Sequence, residues 1–74
     1  MRIYYTAQTV NVKAEDAEWA RVSIFSTDGR MVDSQTAHFS HGVARIDVSH
    51  LPQGLYIAKA EDDQATKVAC KFAR

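Results

Sequence analysis

Apolar residues recur at every second position over most of the chain, which is the period of strands with one buried and one wet face. Ala20, Val22 and Ile24 alternate with Arg21, Ser23 and Phe25, and Ile46 and Val48 alternate with Arg45, Asp47 and Ser49. Val10 and Val12 alternate with Thr9 and Asn11, so residues 3–5 and 9–12 are predicted to form one first strand or a broken pair. Thr66, Val68, Cys70 and Phe72 alternate with Lys67, Ala69 and Lys71, a last strand running almost to Arg74. Residues 14–18 are acidic and carry no apolar stripe, which predicts a loop.

The breaks between these runs have turn chemistry. Thr27-Asp28-Gly29-Arg30 reads as an Asp-Gly hairpin whose two central residues tolerate positive φ. The third strand runs from Met31 toward Ala37 or Phe39, with Val32 its core candidate and Asp33, Ser34 and Gln35 marking an edge. Ser40-His41-Gly42 ends it, and residues 43–48 form the fourth strand. Leu51 closes that apolar run. Pro52 has φ preset for the second position of a β-turn, and Gly54 is able to supply a positive φ at the exit. Beyond this corner Tyr56, Ala58 and Ala60 share one face and Leu55, Ile57 and Lys59 the other, which predicts an interior strand over residues 55–60, followed by an acidic turn at 61–64. A tyrosine at such a strand start can bury its ring and return its hydroxyl to the backbone across the corner. Six to seven short strands, with no helical pattern and no internal repeat, predict an all-β, antiparallel sandwich in one domain over residues 1–74.

Composition narrows the function classes. A chain of 74 residues has little room for a catalytic cleft and its supporting shell, which disfavours an enzyme. Nine basic and nine acidic residues cancel, and neither sign forms a long run, so nucleic-acid binding through a basic surface is not expected. The single cysteine makes no internal disulfide. No signal peptide or membrane-spanning run is recognisable. A whole gene product of this sequence would stay in the cytosol, whereas a fragment would depend on its parent for targeting.

Candidate chemistry is sparse. His38 and His41 flank a turn as a fragment of a metal site, but no further Cys or carboxylate joins them, and no cofactor is expected. Asp47, Ser49 and His50 contain the members of a hydrolytic triad, yet neighbours in a strand point to opposite faces and no nucleophile elbow is present. Cys70 aligns with Val68 and Phe72 as a small core hydrophobe. Trp19 is expected to cover one end of the core, the other reading being a sugar-stacking platform beside Tyr4 or Tyr5.

Three segments taken together resemble a known family. Val22-Ser-Ile-Phe-Ser-Thr-Asp-Gly-Arg-Met-Val32, then Ile46-Asp-Val-Ser-His-Leu-Pro-Gln-Gly-Leu-Tyr-Ile57, then Lys67 to Arg74, are similar to the C-terminal sorting domain of the type IX (Por) secretion system of Bacteroidota. The resemblance covers residues 10–74. The Asp28-Gly29-Arg30 hairpin, the Leu51-Pro52-x-Gly54-x-Tyr56 corner and the Lys71-Phe72-Ala73-Arg74 ending match in kind and order. Ala58, Ala60 and Ala73 stand where β-branched residues are more usual, and Arg74 where lysine is frequent.

The resemblance implies an immunoglobulin-like sandwich that follows a cargo domain in a parent protein with its own signal peptide. It implies passage through the periplasm to the cell surface or medium, with the type IX translocon as partner. It further implies a sortase-like peptidase that removes the domain, and no catalysis by the domain itself. Gly29 and Gly54 would hold turns; Pro52 and Tyr56, after Leu51, would build the corner; Asp28 would belong to the hairpin; Lys67, Lys71, Phe72 and Arg74 would form the terminal signal. On this view the machinery reads the exposed edge of the last strand, and trimming the final residues abolishes export from an intact fold. The alternative is an immunoglobulin-like accessory module, a spacer or carbohydrate-binding domain of a surface enzyme or adhesin. A small hydrolase or metal protein would need its histidines to converge.

Overall fold

The computed structural model describes Met1–Arg74 as seven strands and no helix. They are β1 (Arg2–Thr6), β2 (Thr9–Lys13), β3 (Trp19–Ser26), β4 (Met31–His38), β5 (Val43–Asp47), β6 (Leu55–Asp62) and β7 (Lys67–Ala73). All pairings are antiparallel, in a three-stranded sheet ordered β1-β2-β5 and a four-stranded sheet ordered β4-β3-β6-β7. The chain changes sheets after β2, β4 and β5, so the two layers are stitched together by their connections, the arrangement of an immunoglobulin-like sandwich.

The core lies where the inner faces meet. Val10 and Val12 of β2, Ala44 and Ile46 of β5, and Val48 and Leu51 after it oppose Val22 and Ile24 of β3, Ala58 and Ala60 of β6, and Phe72 of β7. Ile24, Val10, Val12, Val22 and Val48 are fully enclosed, each stabilising the fold by about 1.5–3 kcal/mol relative to exposure. The alanines of β6, Ala58 and Ala60, are buried within this centre.

Most predicted strands appear within a residue or two of their expected limits. β6 extends to Asp62, so Glu61 and Asp62 belong to the strand and the turn begins at Asp63. The Asp62 carboxylate is buried and accepts the backbone N–H groups of Gln64 and Thr66, both at 2.9 Å, closing the turn from within. The opening apolar run is a hairpin, with Ala7 and Gln8 both at positive φ (52° and 62°) between Thr6 and Thr9. The Asp28-Gly29 turn also differs from the reading above. Gly29 N–H donates to the Ser26 carbonyl and Ser26 N–H to the Arg30 carbonyl, and of the loop residues only Gly29 has positive φ, at 88°. That is a three-residue loop, a tight turn followed by a glycine bulge. Gly54 has the positive φ anticipated for it, at 159°, close to extended.

Two further expectations change. Trp19 is half-buried but takes no part in the core: Ala20, Val22 and Ile24 occupy the inward positions of β3, which turns Trp19 outward beside Arg21. It is also on the opposite sheet from Tyr4 and Tyr5. Cys70 is half-buried against the core, and burial pushes its thiol pKa up.

Candidate functional site

The corner after β5 and the end of β7 form one assembly. After Val48 the chain turns, with Leu51 N–H donating to the Val48 carbonyl at 3.1 Å and the Leu51 side chain entering the core. Pro52 is exposed. Tyr56, four residues on, points its ring inward, and its hydroxyl donates to the Pro52 carbonyl at 2.6 Å. The tyrosine therefore bridges the turn it follows, as the corner motif predicts. A Cβ at Gly54 would stand 3.9 Å from the Tyr56 ring and hydroxyl, so this glycine lies directly beside the tie.

The terminal strand closes on the same corner. Register places Phe72 opposite Tyr56, with ring centroids 5.6 Å apart, and Tyr5 of the other sheet stacks on the opposite side of Phe72 at 4.6 Å. Arg74 exchanges backbone hydrogen bonds with Gly54: its N–H donates to the Gly54 carbonyl at 2.8 Å, and the Gly54 N–H returns the bond at 3.2 Å. Its guanidinium then reaches over the corner. Nη2 donates to the Ser49 carbonyl at 2.6 Å and to the Leu51 carbonyl at 3.0 Å, while Nε donates to Leu51 at 3.2 Å. A planar fork with several donors suits two nearby carbonyls in a way a lysine ammonium does not.

The corner's charges are local. Asp47 accepts the Ser49 N–H at 2.8 Å, and this bond, the Ser49 hydroxyl and the nearby His50 and Arg74 hold its pKa below the ordinary value. His50 pairs with Asp33 of β4, Nε2 to Oδ2 at 3.1 Å, linking the corner to the far edge of the four-stranded sheet. Asp47, Ser49 and His50 thus do not converge as a triad. His38 and His41 are exposed, and His41 meets only the Ser40 hydroxyl.

The remaining predicted residues are distributed around this end and along β7. Asp28 accepts the Ser26 hydroxyl and the Arg30 N–H, which lowers its pKa, and Gly29 makes the bulge beside it. This hairpin stands at the corner end of the sheet, where Ser26 pairs with Tyr56 and Thr27 shares a depression with Leu55, Lys71 and Ala73. Lys71 is exposed and pairs in register with Ile57; Lys67 is exposed at the other end of β7, opposite Glu61. The structure therefore unites Leu51, Pro52, Gly54, Tyr56, Phe72 and Arg74, sets Asp28 and Gly29 nearby, and leaves the two lysines free on the surface. The sequence reading missed Tyr5, whose ring covers Phe72 from the other sheet, and the carbonyls of Ser49 and Leu51. No local pattern marks either, since both are made by distant chain segments meeting.

Comparison with known proteins agrees with this architecture. The family model for the secretion system C-terminal sorting domain matches residues 6–72. A search of curated proteins finds no match. The match begins at the end of β1 and takes in the hairpin, the corner and the terminal strand through Phe72, so it covers nearly all of the sandwich. The chain belongs to the family of type IX secretion C-terminal sorting domains.

Proposed function

We propose that this domain is the address label by which its parent is recognised at the type IX translocon, carried to the cell surface or medium and then released by a sortase-like peptidase. The observation that carries the proposal is the family match over residues 6–72. The parent brings a signal peptide and a cargo domain, and the sandwich contributes shape and charge without chemistry of its own. Within the terminal strand the recognised groups are Lys67 and Lys71, because both are exposed and neither is held in a salt bridge. Asp28, Gly29, Leu51, Pro52, Gly54, Tyr56 and Phe72 act by holding the fold in shape. Arg74 does both: it belongs to the terminal signal and clasps the corner.

The test is a reporter fusion carrying the domain with Lys67→Glu and Lys71→Glu together. The account expects the reporter to stay in the periplasm while the purified variant melts as the wild type does. Export undiminished by both reversals would remove the lysines from the signal.

A further inference from the structure

The outward face of β3, β6 and β7 carries an ordered pattern. Register sets Arg21, Glu61 and Lys67 side by side, then Ser23, Lys59 and Ala69, then Phe25, Ile57 and Lys71. Ser23 and Ala69, the small side chains of the middle row, leave a trough between the charged row and the apolar one. Lys59 extends along it, its Nζ 5.1 Å from the centroid of the Phe25 ring. Leu55, 65% exposed, and Met31, 53% exposed and paired in register with Phe25, enlarge the apolar end.

Charge is segregated here although the chain is neutral overall. Across these three strands the outward face holds four cations, Arg21, Lys59, Lys67 and Lys71, against one carboxylate, Glu61. None of the four lies within salt-bridge distance of a carboxylate. Unpaired cations beside half-buried Phe25 and Ile57 and exposed Leu55 do nothing for the core, which lies on the other side of the sheet.

We propose that this face docks an acidic, extended peptide segment of a partner protein bearing a large apolar side chain. Alternate residues of an extended peptide repeat at roughly 6.8 Å, which is also the spacing between successive outward rows of a sheet. One carboxylate placed over the Arg21 and Lys67 row and the next alternate one over Lys59 leave the following alternate side chain over Phe25 and Ile57. Single-stranded nucleic acid would require a series of aromatic platforms, and the trough has one.

The proposal is independent of export, because it is read on the purified domain with no translocon present. The isotope-labelled domain is titrated with a synthetic peptide Ser-Glu-Ser-Glu-Ser-Leu-Ser, whose alternate positions put two glutamates and then a leucine on one face of an extended chain, and amide shifts are followed by NMR. Shifts concentrated on the outward rows of β3, β6 and β7 are expected. Arg21→Glu with Lys59→Glu should weaken binding about tenfold or more, and raising salt from about 0.05 M to about 0.5 M should weaken it further. Phe25→Ala should weaken binding without altering its salt dependence. Shifts mapping to another surface, equal binding of the same peptide with lysine in place of each glutamate, or indifference to the double charge reversal would overturn the proposal. Tighter binding to phosphatidylglycerol vesicles or to an oligonucleotide would overturn it in favour of a membrane or nucleic-acid partner.

Discussion

Tyr56 ties the corner by donating its hydroxyl to the Pro52 carbonyl at 2.6 Å, with its ring buried against Phe72. Tyr56→Phe keeps the ring and removes only the donor, leaving a part-buried carbonyl short of a partner. It should cost about 1–2 kcal/mol in chemical denaturation. An unchanged denaturation midpoint would mean that water satisfies Pro52 equally well.

Arg74 is the second tie. Arg74→Ala removes guanidinium donors from the Ser49 and Leu51 carbonyls and should destabilise the domain by about 1–3 kcal/mol. Arg74→Lys retains the charge but not the fork, so it should recover less than half of the loss. Full recovery by lysine would show that charge alone matters at this position.

Trimming the final residues is a poorer test of the terminal signal than the sequence suggests. Phe72 is a core residue stacked between Tyr5 and Tyr56, so Phe72→Ala alone should cost about 3–5 kcal/mol. Deletion of residues 72–74 should therefore lower the melting temperature sharply, and any export defect would follow from unfolding. A melting temperature within a few degrees of the wild type would contradict this packing.

Acid should weaken the fold through Asp28 and Asp47. Both have folded pKa values lowered from 3.8, so their contribution is present above that value and is lost as pH falls through the lower folded pKa. Asp47→Asn should flatten the acid limb of a stability-versus-pH curve below about pH 4 and leave the neutral and alkaline region parallel to the wild type. A variant curve with the same acid slope would assign that slope to other groups.

The β1–β2 hairpin is improvable. Ala7 and Gln8 are both held at positive φ, which non-glycine residues other than Asn and Asp adopt at a cost. Ala7→Asn with Gln8→Gly supplies the residues such a two-residue loop favours and should stabilise the domain by about 1 kcal/mol. No gain would indicate that the turn relaxes in solution.

What could be read from the sequence follows from how local each cause is. The strands around Val22, Ile46, Tyr56 and Phe72 were legible because alternation reports one buried face directly. Tyr56 was legible because its position after Leu51, Pro52 and Gly54 defines the corner. Ala7-Gln8 was not, since neither residue favours a turn and the reversal is enforced by β2 pairing with both β1 and β5. Trp19 misled because burial of an isolated tryptophan is a statistical expectation, whereas strand parity set by Ala20 and Val22 decides its face. Asp62 reads as part of an acidic turn, whereas it ends β6 and its buried carboxylate organises that turn from inside. The docking of Arg74 on Ser49 and Leu51 joins segments over twenty residues apart and has no local signature.

The most direct measurement of the sorting role is export of a reporter preceded by a signal peptide and followed by residues 1–74, in a type IX-competent bacterium and in a translocon-deficient strain. The account predicts reporter on the surface or in the medium of the first and confined to the periplasm of the second. A folded fusion that stays in the periplasm of both strains would contradict it.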